Sequence, residues 1–414
     1  MSVAEQCQKA RTAARALARA KTRDKDLALK AVAERLRARA DHVARENEKD
    51  LAAGRTAGLS EALLDRLALS AERIEALAQA VEHVATLPDP VGSRSESQRA
   101  PSGIVIARQR VPLGVIAMIY EARPNVTVDA AVLCVKAGNA VLLRGGKEAA
   151  ASNAALGEIL REGLASAGLP SDAVQIVPPG SRDEIRELLS ATDFIDLAIP
   201  RGGPGLIRFV AENARVPVVK HYHGVCHLFL DEGCNVEMAM ALAVNGKAQR
   251  PGVCNALECL LVHQNDAARL LPPVLAALEQ EGVEIRGCER TRQVVPRVKA
   301  AAEDDFGTEF LAKILAVKVV DGYEAALAHV ERYGSNHTEV ICTESYERAQ
   351  RWLDDVDASC VMVNASTRFN DGGQLGLGTE IGISTSKLHA YGPMGLTSLT
   401  TEKWIVLGSG QIRR

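Results

Sequence analysis

The chain has no C-x-x-C pair, no long uncharged apolar run and almost no net charge, and each absence removes a class of function. Its nine cysteines, at 7, 134, 226, 234, 254, 259, 288, 342 and 360, are odd in number and scattered. That pattern argues against a disulfide framework or a zinc ribbon and for a reducing compartment. Met1–Ala10 carries no apolar h-region, and no window reaches the roughly 18 uncharged apolar residues of a membrane span, so the expected location is the cytoplasm. With 49 Lys and Arg against 52 Asp and Glu, the formal charge of -3 gives no general attraction to nucleic acid or an acidic membrane. A small-molecule partner is expected instead. What is present is an ordinary globular composition, 47% hydrophobic and 24% charged, over 414 residues, enough for two or three domains.

Residues 4–87, rich in Ala, Leu, Arg and Glu, predict a helical hairpin or longer helical array. Leu29, Val32, Leu36, Ala40 and Val43 recur at steps of three and four and share one buried face. Ser70 followed by Glu72 predicts an N-cap for a helix carrying Ile74, Leu77, Val81 and Val84. Arg11, Arg15, Arg19, Lys21 and Arg23 are soon balanced by Glu34, Glu46, Glu48 and Asp50, which favours a solvated helix face over a nucleic-acid arm.

Past Pro88-Asp-Pro90 the pattern changes. Gly103–Arg110 reads as a strand or hairpin arm, and strands are then expected at 115–120, 141–144, 174–177, 194–199 and 216–219. Helices alternate with them at 126–136, from an N-cap at Ser152 or Asn153 to Leu164, and near 182–190 and 206–213. Such alternation implies a doubly wound parallel sheet. A second alternating region follows, with helices at 236–244, 267–279 and 323–333 and strands at 258–263, 316–320 and 338–342. The tail from Leu399 to Ile412 has β-forming residues and is expected to pair with the 103–110 arm in a small sheet for oligomer contacts. The expected division is 1–94 with 111–230 as a nucleotide-binding domain, 231–385 as a catalytic domain, and 95–110 with 386–414 as arm and tail.

Parallel sheets of this kind bind ligands beyond the carboxyl ends of their strands. Glu121-Ala-Arg-Pro-Asn125, Arg144-Gly-Gly-Lys147, Pro178-Pro-Gly180 and Arg201-Gly-Gly-Pro-Gly205 fall there, and two of them join paired glycines to a cation. That combination lets a backbone approach a phosphate, and a dinucleotide is the natural guest, although turn chemistry alone also explains such glycines. Cys254 follows Pro251-Gly-Val253, a tight-turn sequence that lifts the next side chain out of a regular element, with Lys247 and Arg250 nearby to lower a thiol pKa. It is the candidate nucleophile. His221, His223, Cys226 and His227 suggest a metal cluster, but Gly224 interrupts the strand and no carboxylate completes a ligand set, so no metal is expected. Gly376–Gly382 has one residue too many for a dinucleotide fingerprint, and Arg144–Lys147 lacks the first glycine of a P-loop.

The motifs Tyr120-Glu-Ala-Arg-Pro-Asn125, Lys136-Ala-Gly-Asn139, Arg144-Gly-Gly-Lys-Glu148, Ile199-Pro-Arg-Gly-Gly203, Gln249-Arg-Pro-Gly-Val-Cys-Asn255, Tyr333-Gly-Ser-Asn-His-Thr-Glu339 and Gly392-Pro-Met-Gly395 are specific. In them, and over nearly its whole length, the chain resembles the γ-glutamyl phosphate reductases of the aldehyde dehydrogenase superfamily. The resemblance implies an aldehyde dehydrogenase-like α/β fold and NADPH-dependent reduction of L-glutamyl 5-phosphate to glutamate 5-semialdehyde in proline biosynthesis. It also implies a homo-oligomer and, as functional partner, a glutamate 5-kinase carried on another chain. By position it makes Cys254 the catalytic thiol and Asn125 a donor of the oxyanion hole. Arg144, Lys147, Arg201, Gly202, Gly203 and Glu309 become cofactor contacts, and Arg123, Lys220, Arg368 and Asn370 substrate contacts. Hydrolytic relatives place a water-activating glutamate at position 221; here it is histidine, which weighs against the alternative of a hydrolytic NAD(P)-dependent aldehyde dehydrogenase. One departure is Tyr391, where the family carries arginine.

Overall fold

The structure is a computed structural model that describes residues 1–219 and 223–413. Lys220 and His221, both named above, lie outside the described residues. The chain divides into two compact units, Met1–Lys220 with Leu377–Gly382 and Met394–Arg414, and His221–Gly376 with Ile383–Pro393. Among the described residues no helix is long and apolar enough to cross a membrane.

The first unit opens with helices Val3–Leu17, Thr22–Ala38, Ala40–Thr56, Glu61–Leu67 and Ala71–Thr86. Leu29, Val32, Leu36 and Val43 are fully buried, but they belong to two helices, because Arg39 leaves helical geometry at φ -111° and turns the chain. Ser70 caps its helix by accepting from the Arg73 N–H, and Ile74, Leu77, Val81 and Val84 face inward. A parallel four-stranded sheet follows in the order Val174–Ile176, Ala140–Arg144, Val115–Tyr120, Leu197–Arg201. Every residue of Val115–Tyr120 is buried, as expected of a strand covered on both faces. The segment 216–219 contributes only a bridge, Val218 beside Ala198, to this sheet.

Ser152 and Asn153 do not cap the next helix, which runs Ala150–Ser166. Both are buried in its first turn and taken by tertiary partners: Ser152 donates to Asp50 Oδ2 at 2.6 Å, and Asn153 Oδ1 accepts from Thr127 at 2.7 Å. Buried hydroxyls and amides need such partners, and that requirement overrides the local capping preference. Strand Thr400–Leu407 pairs antiparallel with Val105–Pro112, which also pairs with Gln98–Arg99, so the tail and the arm form one three-stranded sheet.

The second unit holds a seven-stranded parallel sheet, ordered Lys299–Ala300, Glu284–Gly287, Ile314–Val320, Leu257–His263, Cys226–Leu230, Thr338–Cys342, Cys360–Val363. Side chains alternate between its faces. Leu228, Leu230, Leu260 and Val262 enter one core with helix Ala267–Gln280, whereas Phe229, Cys259, Leu261 and Ile341 enter another with helix Tyr323–Tyr333 and Trp352. The division expected after residue 230 therefore moves: Cys226–Leu230 is a central strand of the second sheet and cannot belong to the first unit. Likewise 386–393 groups with the second unit and only 394–414 with the first.

Candidate active site

In the first sheet the chain order of the strands reverses between Val115–Tyr120 and Leu197–Arg201. Their carboxyl ends open the crevice where such folds take ligands. Two loops meet there and are bonded together: Glu121 N–H donates to the Arg201 carbonyl at 3.2 Å, and Gly203 N–H donates to Glu121 Oε2 at 3.1 Å. A Cβ on Gly202 would lie 2.6 Å from Glu121 Oε2 and 2.8 Å from Leu206 Cδ2, so a larger residue there would displace these two side-chain ends. Ala122, at φ 44°, is held in a left-handed conformation with its N–H on Glu148 Oε1 at 2.6 Å.

Beside these loops lies a cavity of about 660 Å³ lined in part by Glu121, Arg144, Lys147, Glu148, Gly180 and Arg182. Its volume falls in the range of small-molecule sites. Cations to meet phosphate and carboxylates to meet ribose hydroxyls suit a nucleotide. Burial, opposed by the nearby Glu148, Glu184 and Glu121, lowers the Arg144 pKa. The Arg144 guanidinium donates to the carbonyls of Gly145 at 3.0 Å and Gly180 at 3.1 Å. Lys147 is exposed at the cavity edge. Arg201, Gly202 and Gly203 are not among the lining residues; Gly203 serves the loop lock with Glu121.

Asn125 opens helix Asn125–Lys136 and donates its Nδ2 to Asp129 Oδ2 at 3.0 Å, one turn on. Desolvation pushes the Asp129 pKa up to about 6, against the opposing pull of the Asn125 bond and the Arg201 charge. Asp129 was not singled out from sequence, although its i, i+4 spacing from Asn125 was readable. Arg123 is half-buried in the same loop.

In the second unit Cys254 occupies the turn between helix Val236–Ala248 and strand Leu257–His263, at the amino end of a central strand. The carboxyl-end rule thus locates the first unit's crevice and not the thiol. Six cysteines are buried; Cys254, Cys288 and Cys360 are partly accessible. The Cys254 carbonyl accepts from Cys226 Sγ at 3.2 Å, and Gly224 packs so closely on it that a Cβ there would lie 2.9 Å from the Cys254 carbonyl carbon. Gly224 also donates its N–H to Glu309, whose pKa burial raises.

Lys247 is fully buried against Glu258, Nζ to Oε2 at 2.5 Å. Burial lowers the Lys247 pKa and pushes that of Glu258 up to about 7. Arg368 is one cation that senses Cys254. Arg368 donates to Gln249 at 2.9 Å, and its pKa is lowered by burial and by Arg250 while the Cys254 charge opposes the shift. Asn370, expected at the substrate, is fully buried; its amide donates to Thr338 Oγ1 at 2.8 Å, and its carbonyl accepts from Asn255 at 2.9 Å. It braces the residue next to Cys254. Tyr391 donates to Asp357 at 3.2 Å, a carboxylate that also holds Lys387. His227, last of the suspected metal cluster, is buried in the sheet away from exposed His223.

The Aldehyde dehydrogenase family profile matches residues 1–306. A gamma-glutamyl phosphate reductase of Sorangium cellulosum is 63% identical over 98% of this chain and 96% of its own length, and one from Anaeromyxobacter sp. is 56% identical over 97% and 95%. The crystal structure of gamma-glutamyl phosphate reductase from Thermotoga maritima matches with a TM-score of 0.98 and 45% identity, covering 100% of both chains. An acetylating aldehyde dehydrogenase from Geobacillus thermoglucosidasius, at 18% identity and a TM-score of 0.70, shares the fold. A cysteine turn, a phosphate-suited crevice on a doubly wound sheet and full-length identity above half converge: the chain belongs to the aldehyde dehydrogenase family and, within it, to the gamma-glutamyl phosphate reductases.

Proposed function

We propose that the chain reduces L-glutamyl 5-phosphate to L-glutamate 5-semialdehyde with NADPH, through a thioester on Cys254. The observation that carries the reading is the 63% identity over 98% of the chain to a reductase of that name, with an accessible cysteine in the turn of the shared motif. Cys254 thiolate attacks the γ-acyl carbon, a step suited to a soft nucleophile. The Cys254 N–H is assigned to the developing oxyanion, and by the family resemblance alone the Asn125 amide, whose orientation Asp129 sets, is assigned as the second donor. Phosphate departs with its electron pair; Arg368, Arg123 and Lys220 are assigned to that anion as the candidates from sequence. Bound NADPH supplies the hydride that reduces the thioester. The resulting thiohemiacetal collapses, expelling Cys254 thiolate and releasing the aldehyde.

Arg144 and Lys147 are assigned to the cofactor phosphates and Glu309 to the nicotinamide ribose. Asn370 and the Arg201–Gly203 loop are assigned supporting roles, since the Asn370 amide nitrogen is held by Thr338 and Gly203 by Glu121, although Asn370 Oδ1 has no partner among the described residues. The deciding assay runs the reaction backwards, with glutamate 5-semialdehyde and NADP followed at the nicotinamide absorbance. NADPH formed only when inorganic phosphate is present supports the reductase; formation without phosphate means water attacks the thioester and the chain is a hydrolytic dehydrogenase.

A further inference from the structure

Three neighbouring strands of the second sheet place a second group of chemically capable side chains far from the Cys254 turn in role. Cross-strand register sets Cys259 beside His227 and His227 beside Glu339, a row across Leu257–His263, Cys226–Leu230 and Thr338–Cys342. Paired residues on parallel strands point to the same face, here the one covered by helix Tyr323–Tyr333, which brings His329 over the row. One donor atom each from His227, Cys259 and His329 lie within 4.8 Å of one another. All three are buried, with exposures of 0%, 0% and 4%, and Glu339 is at 1%.

One observation separates this group from an ordinary polar core, and its spacing suits a metal. His227 Nδ1 is paired with Glu339 Oε2 at 2.9 Å, which leaves His227 Nε2 and Glu339 Oε1 without an aligned hydrogen-bond partner among the described residues. Buried polar atoms left this way call for an explanation such as an ion. The spacing also fits. Zinc–sulfur and zinc–nitrogen bonds of about 2.3 and 2.0 Å at a tetrahedral angle put the two donors about 3.5 Å apart; Cys259 Sγ and His329 Nε2 are 3.6 Å apart.

We propose that His227 Nε2, Cys259 Sγ and His329 Nε2 form a structural site for a divalent thiophilic metal ion, zinc in the first instance, with Glu339 accepting from His227 Nδ1–H to orient the ring. A carboxylate behind a ligating histidine is a recurrent arrangement that fixes its tautomer. Binding removes the Cys259 thiol proton to solvent, so the dipositive ion, one thiolate and the Glu339 carboxylate sum to neutrality in the core. Because the ligands are buried, the ion enters during folding and takes no part in turnover.

The test begins with full-length protein produced in zinc-supplemented medium, purified without chelator and analysed by inductively coupled plasma mass spectrometry. Stoichiometric zinc is expected, retained in Cys254→Ala and lost in Cys259→Ser and His329→Gln. In Cys254→Ala refolded with cobalt(II), a thiolate-to-cobalt charge-transfer band is expected; this readout stands even if the ligand variants fail to fold. Metal-free protein whose thermal midpoint is unchanged by refolding with zinc, or a cobalt spectrum without a thiolate band, overturns the site. Zinc kept in full by a folded Cys259→Ser variant does the same.

Discussion

Asp129 holds the Asn125 amide at 3.0 Å and carries a pKa near 6 for the same reason, its burial beneath the loop. The native state keeps a proton between about pH 4 and 6 that the unfolded chain has released, so stability falls as pH rises through that window, by up to about 3 kcal/mol. Asp129→Asn removes the titration. It is expected to raise the thermal midpoint at pH 8 relative to wild type and to leave it nearly unchanged at pH 4. Turnover should drop roughly 10- to 100-fold, because the oxyanion donor loses its acceptor-only anchor. Scanning calorimetry at both pH values with steady-state kcat checks this; unaltered kcat would remove Asp129 from the positioning role. At Cys254, alanine is expected to abolish turnover while NADPH still binds, as measured by nicotinamide fluorescence. Quantitative thiol labelling must resolve Cys254 from Cys288, whose pKa is lowered by Thr291 and nearby N–H groups despite the opposing effect of burial.

The turn that presents Cys254 is held by elements rather than by its own sequence. Helix Val236–Ala248 sends Lys247 inward to Glu258 on the following strand, and Glu258 Oε1 receives the N–H of Leu311, two residues beyond Glu309. Lys247→Met leaves a buried carboxylate without its cation and should destabilise the chain by about 3–5 kcal/mol. Adding Glu258→Leu should restore much of the loss, since a buried pair is often replaceable by apolar side chains. Denaturant midpoints of the wild type, single and double variants decide; a single variant as stable as wild type contradicts the account. Gly224→Ala forces a Cβ to 2.9 Å from the Cys254 carbonyl carbon. Its expected signature is altered Cys254 labelling and lost activity in a protein that remains folded by circular dichroism.

Over the whole molecule, the small arm sheet exposes Trp404 at 64%, Val406 at 56% and Leu407 at 61%, on a strand that among the described residues pairs on one side only. Exposed apolar edges invite strand pairing, and we propose that a second copy of the chain covers this one. The Arg108 guanidinium lies over the Trp404 ring at 5.3 Å and leaves much of the ring open. Trp404→Glu is expected to shift sedimentation towards a smaller species with the far-ultraviolet spectrum unchanged; an unaltered sedimentation profile places the contact elsewhere.

Much of this was determined by the sequence alone. A short apolar run located the strand at 115–120, the Ser70 cap located helix Ala71–Thr86, and the turn before Cys254 made that thiol the candidate, because these signals are local. The family was equally readable in its motifs. Tertiary structure decided the rest. Whether Ser152 caps a helix or serves Asp50 depends on a partner a hundred residues away. Cys226–Leu230 is apolar enough for either sheet, and only strand pairing assigns it to the second. Lys247 reads as a cation near a cysteine, and only the fold shows it buried against Glu258; the pairing of the Asn370 amide nitrogen with Thr338 is likewise a contact made across the chain. Local chemistry names candidate side chains; long-range packing chooses which charges are buried, which donors are already satisfied, and therefore which side chains remain for chemistry.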